Sequence, residues 1–124
     1  VLLVDDEEEF LETLVKRLAK RKLVVTGVTN AQDAIRILNE KPIDIVVLDV
    51  KMPGMDGLEA LRQIKSTSPE VEVIMLTGHA NMEAAMQGME LGAFDYLMKP
   101  MDIDELLYKL QDAYKKKTLR ELAR

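Results

Sequence analysis

The sequence predicts an α/β fold in which helices cover both faces of a parallel, five-stranded sheet. Short apolar stretches alternate strictly with helical patterns along the whole chain, and this alternation is typical of parallel sheets. One stretch, Ile45–Leu48, is apolar at every position. An unbroken apolar run of this length is expected of a parallel strand that is covered on both faces.

Each element rests on its own pattern. Five short stretches rich in β-branched and aliphatic residues are predicted strands, namely Val1–Val4, Leu23–Val28, Ile43–Leu48, Val71–Leu76 and Phe94–Met98. Five stretches with apolar residues three or four apart are predicted helices, with stripes at Phe10–Leu18, Ala31–Leu38, Leu58–Ile64, Met82–Met89 and Ile103–Tyr114. Asn30 is expected to cap the second helix. Asp102 and Glu105 form a predicted capping box at the start of the fifth.

The expected strand order places acidic residues together. Crossovers between parallel strands are right-handed, and a five-stranded sheet favours the flavodoxin-like order 2-1-3-4-5 of a doubly wound (βα)5 sandwich. Ligands bind such sheets beyond the carboxyl ends of the first and third strands, where the winding reverses. Asp5 and Asp6 follow the first strand and Asp49 follows the third. We therefore expect these three carboxylates to converge on one crevice.

Composition limits the classes of protein to which the chain can belong. Its 124 residues, 48% of them hydrophobic and 31% charged, suit one globular domain. The chain has no cysteine, so disulfides and thiolate metal sites are excluded, and the lone His79 cannot form a histidine cluster. No apolar run reaches the roughly 18 residues of a membrane span, and no secretory signal is visible. We expect a cytoplasmic protein without membrane contact.

Charge separates the end of the chain from the rest. The net charge is −5, whereas 115–124 carries five basic residues and one acid, so that the preceding residues carry −9. This acidic body argues against direct nucleic-acid binding by the domain. Residues 1–114 are predicted to form the domain, and 115–124 a basic helix end or linker. Since the chain lacks an initiator Met and begins within an apparent strand, we expect it to be part of a longer protein.

The acidic crevice indicates metal-dependent chemistry. Like charges about 4 Å apart repel by roughly 4 kcal/mol at an effective dielectric of 20, so three carboxylates need a counter-charge. Oxygen-only ligands point to a hard divalent cation, Mg²⁺ or Mn²⁺. Asp6, with Asp5 nearby, is the candidate metal ligand. Solvated loop acids would explain the acidic stretch alone, but the placement of Asp49 at a matching strand end favours the metal.

Two further strand ends complete a phosphoryl-transfer site. The fourth strand is followed by Thr77 and the fifth by Lys99, although each alone would be an ordinary turn or surface residue. A carboxylate can act as a nucleophile toward phosphorus and form an aspartyl phosphate. Such transfer needs an in-line attacker, a metal, and donors on the equatorial oxygens. Asp49 is the candidate attacker, and Thr77 and Lys99 would receive the transferred oxygens.

These residues lie in motifs that resemble a known family. The chain is similar to the receiver domain of bacterial two-component response regulators over essentially residues 1–114. The resemblance is carried by the stretches VDDEEEF, DIVVLDVKMPGMDGLEAL, MLTGHA and FDYLMKP. All five signature positions of the family occur in the expected order.

The resemblance implies a role for each site residue. Asp49 would accept a phosphoryl group from a phosphohistidine on a sensor histidine kinase or a phosphotransfer protein. Asp6, Asp49 and the backbone carbonyl of Lys51 would coordinate Mg²⁺, with Asp5 acting directly or through water. Thr77 and Lys99 would bind the phosphoryl oxygens. The Lys99–Pro100 peptide bond is expected to be cis, and the turn that follows Lys51 to shape the metal-binding carbonyl.

The resemblance also implies a switch and an output. Thr77 would move toward the phosphoryl group, and Tyr96 would turn inward into the vacated space. The fourth helix, which contains Gly88 and adaptable methionines, would change partners together with the fifth strand and fifth helix. This face would relay the state, most commonly to an appended effector domain that regulates transcription, and it is also a surface through which a homodimer could form. Such a domain catalyses only its own phosphorylation and dephosphorylation.

Several alternatives stay open at this level. A stand-alone receiver that controls a partner protein is the second interpretation of the output, and an inert scaffold of the same fold is a third. An aspartyl phosphatase is disfavoured because Val50 and Lys51 follow Asp49 where a second acid would be needed. An electron carrier is disfavoured because only 4% of residues are aromatic. Leu119 and Leu122 could begin a second helical seam or lie on a solvated helix end.

Overall fold

The computed structural model of the chain describes residues 1–52 and 56–123, apart from the side chain of His79. The strands are β1 (Leu2–Val4), β2 (Thr26–Val28), β3 (Ile45–Asp49), β4 (Glu72–Thr77) and β5 (Asp95–Met98). The helices are α1 (Glu8–Ala19), α2 (Ala31–Glu40), α3 (Gly57–Thr67), α4 (Met82–Glu90) and α5 (Ile103–Leu122), with a 3₁₀ turn at His79–Asn81. Strands and helices alternate along the chain, as the sequence predicts.

The five strands form one parallel sheet in the predicted order β2-β1-β3-β4-β5. β3 and β4 each end one residue later than predicted, so Asp49 and Thr77 are the last residues of their strands. β2 is shorter than predicted. It lies at the edge of the sheet and pairs only with the three residues of β1, and Val24, just before it, is 87% exposed. Here the partner strand, rather than β-propensity, sets the length.

Two apolar layers explain why the central strands lack alternation. On one face of the sheet, α1 and α5 pack on Leu3, Val47 and Leu76. On the other face, α2, α3 and α4 pack on neighbouring residues that include Leu48 and Met75. Both sets of strand residues are almost fully buried. Burial on both faces is the expected environment of an unbroken apolar strand.

The predicted helix starts are correct, with one difference in detail. The Asn30 side chain accepts a hydrogen bond of 2.8 Å from the Asp33 N–H and caps α2. At the start of α5, the Asp102 carboxylate accepts from the Asp104 N–H at 2.8 Å. The predicted capping box would have used the N–H of Glu105 instead. Asp102 therefore caps the helix through the nearer amide.

Two predicted members of apolar stripes lie on the surface. Tyr114 is 56% exposed, and its neighbour Ala113 takes the buried position on α5. Met86 is 53% exposed, whereas Ala85 and Gly88 form the buried face of α4. Each residue of a helix is rotated by about 100° from the last, so a position one step off the stripe already faces solvent. Tyr114 and Met86 therefore lie outside the buried faces of the helices whose apolar stripes were predicted to include them.

The last helix is continuous through residue 114. α5 runs from Ile103 to Leu122 and is the longest helix described. Leu119 and Leu122 are 61% and 77% exposed, so they lie off the stripe packed on the sheet. The division between a domain over 1–114 and a tail over 115–124 stays a prediction.

Candidate functional site

The three predicted acids meet beyond the carboxyl ends of β1 and β3. Asp5 follows β1 directly, and Asp49 is the last residue of β3. One carboxylate oxygen from each of Asp5, Asp6 and Asp49 lies within 4.8 Å of the other two. Asp5 and Asp49 are 2% and 7% exposed, whereas Asp6 is exposed. The strand order brings together residues that are more than forty positions apart in the sequence.

The members of this acidic cluster are bonded differently. The Asp5 carboxylate accepts from the Lys99 ammonium at 2.7 Å and from the Glu7 N–H at 2.9 Å. Asp6 and Asp49 line a cavity of about 610 Å³, whereas Asp5 is buried and is not among its lining residues. Asp5 is therefore already held by protein donors, while Asp6 and Asp49 face the space where a ligand can enter.

Lys99 is the cation at the centre of the site. Its Nζ lies 2.7 Å from Asp5, 3.2 Å from Glu7 and 3.7 Å from Asp49. The ammonium also lies 4.4 Å from the centre of the Phe10 ring, a cation–π contact that helps to fix it. Burial lowers the pKa of Lys99, but the hydrogen bond to Asp5 and the charges of Asp49 and Asp5 raise it further, above its usual value. Lys99 is therefore charged at neutral pH.

The backbone around Lys99 is tied to the neighbouring strand. The Lys99 N–H donates to the Thr77 carbonyl at 2.8 Å, which joins the ends of β4 and β5. The Lys99–Pro100 peptide bond is cis, as predicted. These features place the lysine side chain across the carboxyl edge of the sheet.

One lysine does not balance the local negative charge. Burial, followed by the charge of Asp5, raises the pKa of the Asp49 carboxyl to about 7 from an ordinary 3.8. Lys99 and a hydrogen bond from the Lys51 backbone oppose this rise but do not cancel it. A bound cation would favour the ionised form of Asp49. The donor set consists of carboxylate oxygens, so it fits a hard divalent ion rather than a metal that prefers nitrogen or sulfur.

The cavity has a wider lining than the sequence indicated. Its lining residues are Asp6, Glu7, Asp49, Lys51, Met52, Gly78, Asn81 and Lys99. No role is predicted from the sequence for Glu7, Met52 or Asn81. Glu7 directly follows the acid pair, and that proximity was the one available signal. The position of Phe10 under Lys99 depends on how α1 packs, and no local pattern reports it.

Thr77 and Tyr96 lie on the same face of the sheet. Thr77 pairs in register with Met98, and Met75 pairs with Tyr96. Because side chains alternate between faces along a strand, Tyr96 lies diagonal to Thr77 on one face. Thr77 is 1% exposed, and its hydroxyl donates to the Gly78 carbonyl at 3.0 Å. Tyr96 is half-buried against the α2-α3-α4 layer. The arrangement is compatible with the predicted switch and does not test it.

Gly57, the first residue of α3, lies against the backbone at the end of β3. The Gly57 N–H donates to the Val50 carbonyl at 2.8 Å, and the Asp56 carboxylate caps α3 by accepting from Glu59. A Cβ on Gly57 would lie 2.6 Å from backbone atoms of Asp49 and Val50, so only glycine fits there. The intervening residues 53–55 and the His79 side chain lie outside the described part, and the predictions for them stay predictions.

Among the described residues, no helix is both long and apolar enough to cross a membrane.

The chain also resembles proteins of known type. The family pattern described as "Response regulator receiver domain" matches residues 1–111. The chain is 40% identical over 113 residues to the DNA-binding transcriptional regulator NtrC of Escherichia coli K12, covering 91% of this chain and 24% of that protein. It is 32% identical to the regulatory protein AtoC of the same organism, covering 98% of this chain and 26% of that protein.

Solved structures agree with these relatives. The receiver domain of NtrX from Brucella abortus superimposes with a TM-score of 0.87 at 31% identity, covering 92% of this chain and 97% of that one. A response regulator receiver domain protein from Clostridium thermocellum gives a TM-score of 0.91 at 35% identity, with 95% of each chain covered. The chain spans about a quarter of the length of the curated relatives it matches. It belongs to the response regulator receiver domain family.

Proposed function

We propose that Asp49 is the phosphoacceptor of this receiver domain and that its phosphorylation switches the domain between two signalling states. One observation carries the proposal. The Asp49 carboxylate lies at a cavity, within 4.8 Å of two other carboxylates and 3.7 Å from the Lys99 ammonium. A nucleophile, a cation site and a fixed positive charge therefore surround one entry point.

Residues of this chain supply the elements of an in-line transfer. An oxygen of Asp49 attacks phosphorus, a new P–O bond forms, and the bond from phosphorus to the donor nitrogen or oxygen breaks. The leaving group keeps the bonding electrons and takes a proton from solvent. Lys99 is placed to bind a transferred oxygen, and the Thr77 hydroxyl to donate to another once it leaves Gly78. These roles follow from charge development on the phosphoryl oxygens.

Asp6, Asp49 and the Lys51 carbonyl would hold Mg²⁺ or Mn²⁺, with Asp5 acting directly or through water. Asp6 is exposed at the cavity, whereas Asp5 is committed to Lys99 and the Glu7 N–H, which favours Asp6 as the direct ligand. When bound, the ion neutralises the carboxylates and the transferring phosphoryl group. In the absence of an ion, like charges oppose the approach of an anionic donor.

The family and the relatives support a proposal for the phosphoryl donor and the output. We infer that a sensor histidine kinase or a phosphotransfer protein supplies the phosphoryl group. The matched relatives NtrC and AtoC are regulators about four times as long as the matched segment. An output to transcription through an effector domain is therefore the favoured proposal, with α4, β5 and α5 as the relay face and a candidate surface for a homodimer. A stand-alone receiver acting on a partner protein is the second candidate.

Intact-mass measurement tests the phosphoacceptor. Incubation of the chain with acetyl phosphate and Mg²⁺ should add the mass of one phosphoryl group, and chelation of the metal should prevent the addition. Asp49→Asn should gain no mass. Asp56→Asn is the matched control, because Asn also caps helices and Asp56 lies outside the cavity lining. Labelling of the Asp49→Asn variant at the wild-type rate would refute the assignment.

A further inference from the structure

A second charged cluster lies at the opposite end of β4. Glu72 is the first residue of β4 and Thr77 the last. Glu72 therefore lies where the strands begin (the amino edge of the sheet) and Thr77 where they end (the carboxyl edge). Glu72 is 1% exposed. A carboxylate removed from water to this degree is costly unless cations and hydrogen bonds compensate it. The compensating groups of Glu72 therefore have a structural role.

Three cations from two helices surround Glu72. Arg120 of α5 donates to Glu72 Oε1 at 3.0 Å, and Lys116, one turn earlier, places its ammonium 3.1 Å from Oε2. Lys65 of α3 lies 3.8 Å from Oε1. The geometry at Lys116 does not form a hydrogen bond, and Oε2 has no other hydrogen-bond partner among the described residues. Lys116 thus compensates Glu72 by charge, and Arg120 by charge and a directed bond.

The neighbouring strand provides a second contact for the same helix end. Lys117 donates to Asp44, which precedes β3, at 2.7 Å. Asp44 and Glu72 are adjacent in space, because the Glu72 N–H donates to the Asp44 carbonyl at 3.1 Å. Lys116 also lies 5.5 Å from the centre of the Phe94 ring. Consecutive cations of α5 thus contact the amino ends of two adjacent strands.

Apolar burial does not account for the position of this helix end. Ala113 is the last buried residue of α5, and Leu119 and Leu122 are mostly exposed. The Lys117–Glu121 pair joins residues of the same helix. It supports helicity but fixes nothing against the sheet. Among the described residues, ion pairs with Glu72 and Asp44 join the last two turns to the amino ends of β3 and β4.

We propose that Glu72 and Asp44 form a charge clamp that docks residues 115–123 on the amino edge of the sheet, with Glu72 as the principal positioning residue. The segment 115–123 then belongs to the folded domain, and the sheet sets the direction in which α5 leaves it. Glu72 carries most of the effect because its carboxylate is buried, whereas exposed ion pairs contribute little. The inference goes beyond the proposed function and does not depend on phosphoryl transfer.

Hydrogen exchange of backbone amides tests the clamp in the 124-residue chain. In Glu72→Gln, amides of 115–123 should exchange at least about fivefold faster, because local opening no longer breaks a buried ion pair. Amides of 103–110, which pack on the sheet, should change by less than about twofold. Glu121→Gln is the matched control. It removes one negative charge, and one of the two carboxylate partners of Lys117, from the same helix end. It leaves Glu72 and its three cations in place, so its effect on 115–123 should stay below about twofold.

The outcomes separate docking from a general loss of stability. Amides of β3 report global stability, and rates in 115–123 are compared after that reference is subtracted. If Glu72→Gln does not fold, Arg120→Gln replaces it, because Arg120 is partly exposed and its removal leaves Lys116 and Lys65 near Glu72. Unchanged exchange of 115–123 in the folded Glu72 or Arg120 variant would overturn the proposal. Equal acceleration by Glu121→Gln would do the same.

Discussion

Both edges of the parallel sheet bury a carboxylate, but their charges are balanced in opposite ways. At the carboxyl edge, Asp5, Asp6 and Asp49 lie together, and within the described part of the chain Lys99 is the one cation that forms ion pairs with them, to Asp5 and Asp49. At the amino edge, one buried acid, Glu72, is surrounded by three cations. The carboxyl edge therefore has an excess of negative charge and the amino edge an excess of positive charge.

The two edges differ in whether protein cations compensate the buried acid. The unbalanced carboxyl edge raises the pKa of Asp49 to about 7, chiefly by burial, so the protein alone does not stabilise its ionised form. A cation and a phosphoryl group can complete such a site. At the amino edge, burial lowers the pKa of Lys65, Glu72 raises it, and the charges of Arg120 and Lys116 lower it again. The Glu72 carboxylate is already compensated by these cations and does not require a ligand.

The largest expected difference between the two edges is in the free energy of unfolding lost when one lysine is removed from each. Lys99→Met leaves buried Asp5 and Asp49 without a cation, so the free energy of unfolding should fall by about 3 kcal/mol. Lys117→Met leaves Asp44, which is half exposed and can rehydrate, so its cost should be about 1 kcal/mol or less. Urea unfolding without divalent ions measures both. Equal losses would show that the two edges do not differ in the way described.

Neutralising an acid should have opposite signs at the two edges. The raised pKa of Asp49 means that the wild type loses stability as pH rises from about 4 to 7, because the folded state disfavours the ionised carboxylate. Asp49→Asn should therefore be more stable above pH 7 without metal, by about 2 kcal/mol, since water in the cavity screens the charges. The difference should shrink toward pH 4, and Mg²⁺ should reduce it by binding the wild type.

Glu72→Gln provides the opposite sign in the same measurement. It should lower the free energy of unfolding at pH 8, because it removes the partner of three cations. Thermal unfolding of both variants across pH 4 to 8, with and without Mg²⁺, is the test. Destabilisation by Asp49→Asn at pH 8 in the absence of metal would contradict the charge imbalance at the carboxyl edge.

A smaller effect is expected from Glu7, whose side chain is 66% exposed and lies 3.2 Å from Lys99. Glu7→Gln removes one negative charge from the rim of the cavity and frees Lys99 from one partner. Phosphorylation by acetyl phosphate should be about threefold faster, as expected for one exposed charge. Glu8→Gln is the control, because Glu8 lies outside the cavity lining. Equal acceleration by both variants would assign the effect to net charge.

The smallest effect is expected on the outer side of the helix that the clamp holds. Leu119 is 61% exposed, whereas the clamp's ion pairs are formed by Lys116, Lys117 and Arg120. Leu119→Ser should change the free energy of unfolding by less than about 0.5 kcal/mol. Urea unfolding at low protein concentration measures it. A larger loss would show that apolar contacts, rather than charges, hold the end of α5.

Much of the carboxyl edge could be predicted from the sequence. All strands of a parallel sheet point the same way, so residues that follow different strands meet at one edge once the strand order is known. Asp5, Asp49, Thr77 and Lys99 each stand at a strand end in the sequence, and the structure places them at that edge. Their chemical roles rest on the family and stay predictions. The place of Glu7 in the cavity was not predicted, although Glu7 directly follows the acid pair.

The sequence contains no comparable pattern that predicts the charged cluster at the amino edge. In the sequence, Glu72 stands at the start of a strand between two valines, where an acid is usually solvated. Its burial depends on α5 continuing past residue 114 and on Lys116 and Arg120, one turn apart, pointing at β4. The same packing decided that Ala113 rather than Tyr114 faces the sheet. A shift of one residue along a helix changes the face by about 100°, and local propensity does not resolve it.

The sequence by itself determined the alternation of strands and helices, the order of the sheet and the identity of the residues at its carboxyl edge. Hydrophobic periodicity and parallel connectivity are properties of the chain that do not require its exact packing. Only the tertiary structure decided that Lys99 rests on Phe10, that Asp5 is held while Asp6 is open, and that Glu72 is buried under the last turns of α5. Those contacts depend on distances between elements far apart in sequence, and burial and charge act through such distances.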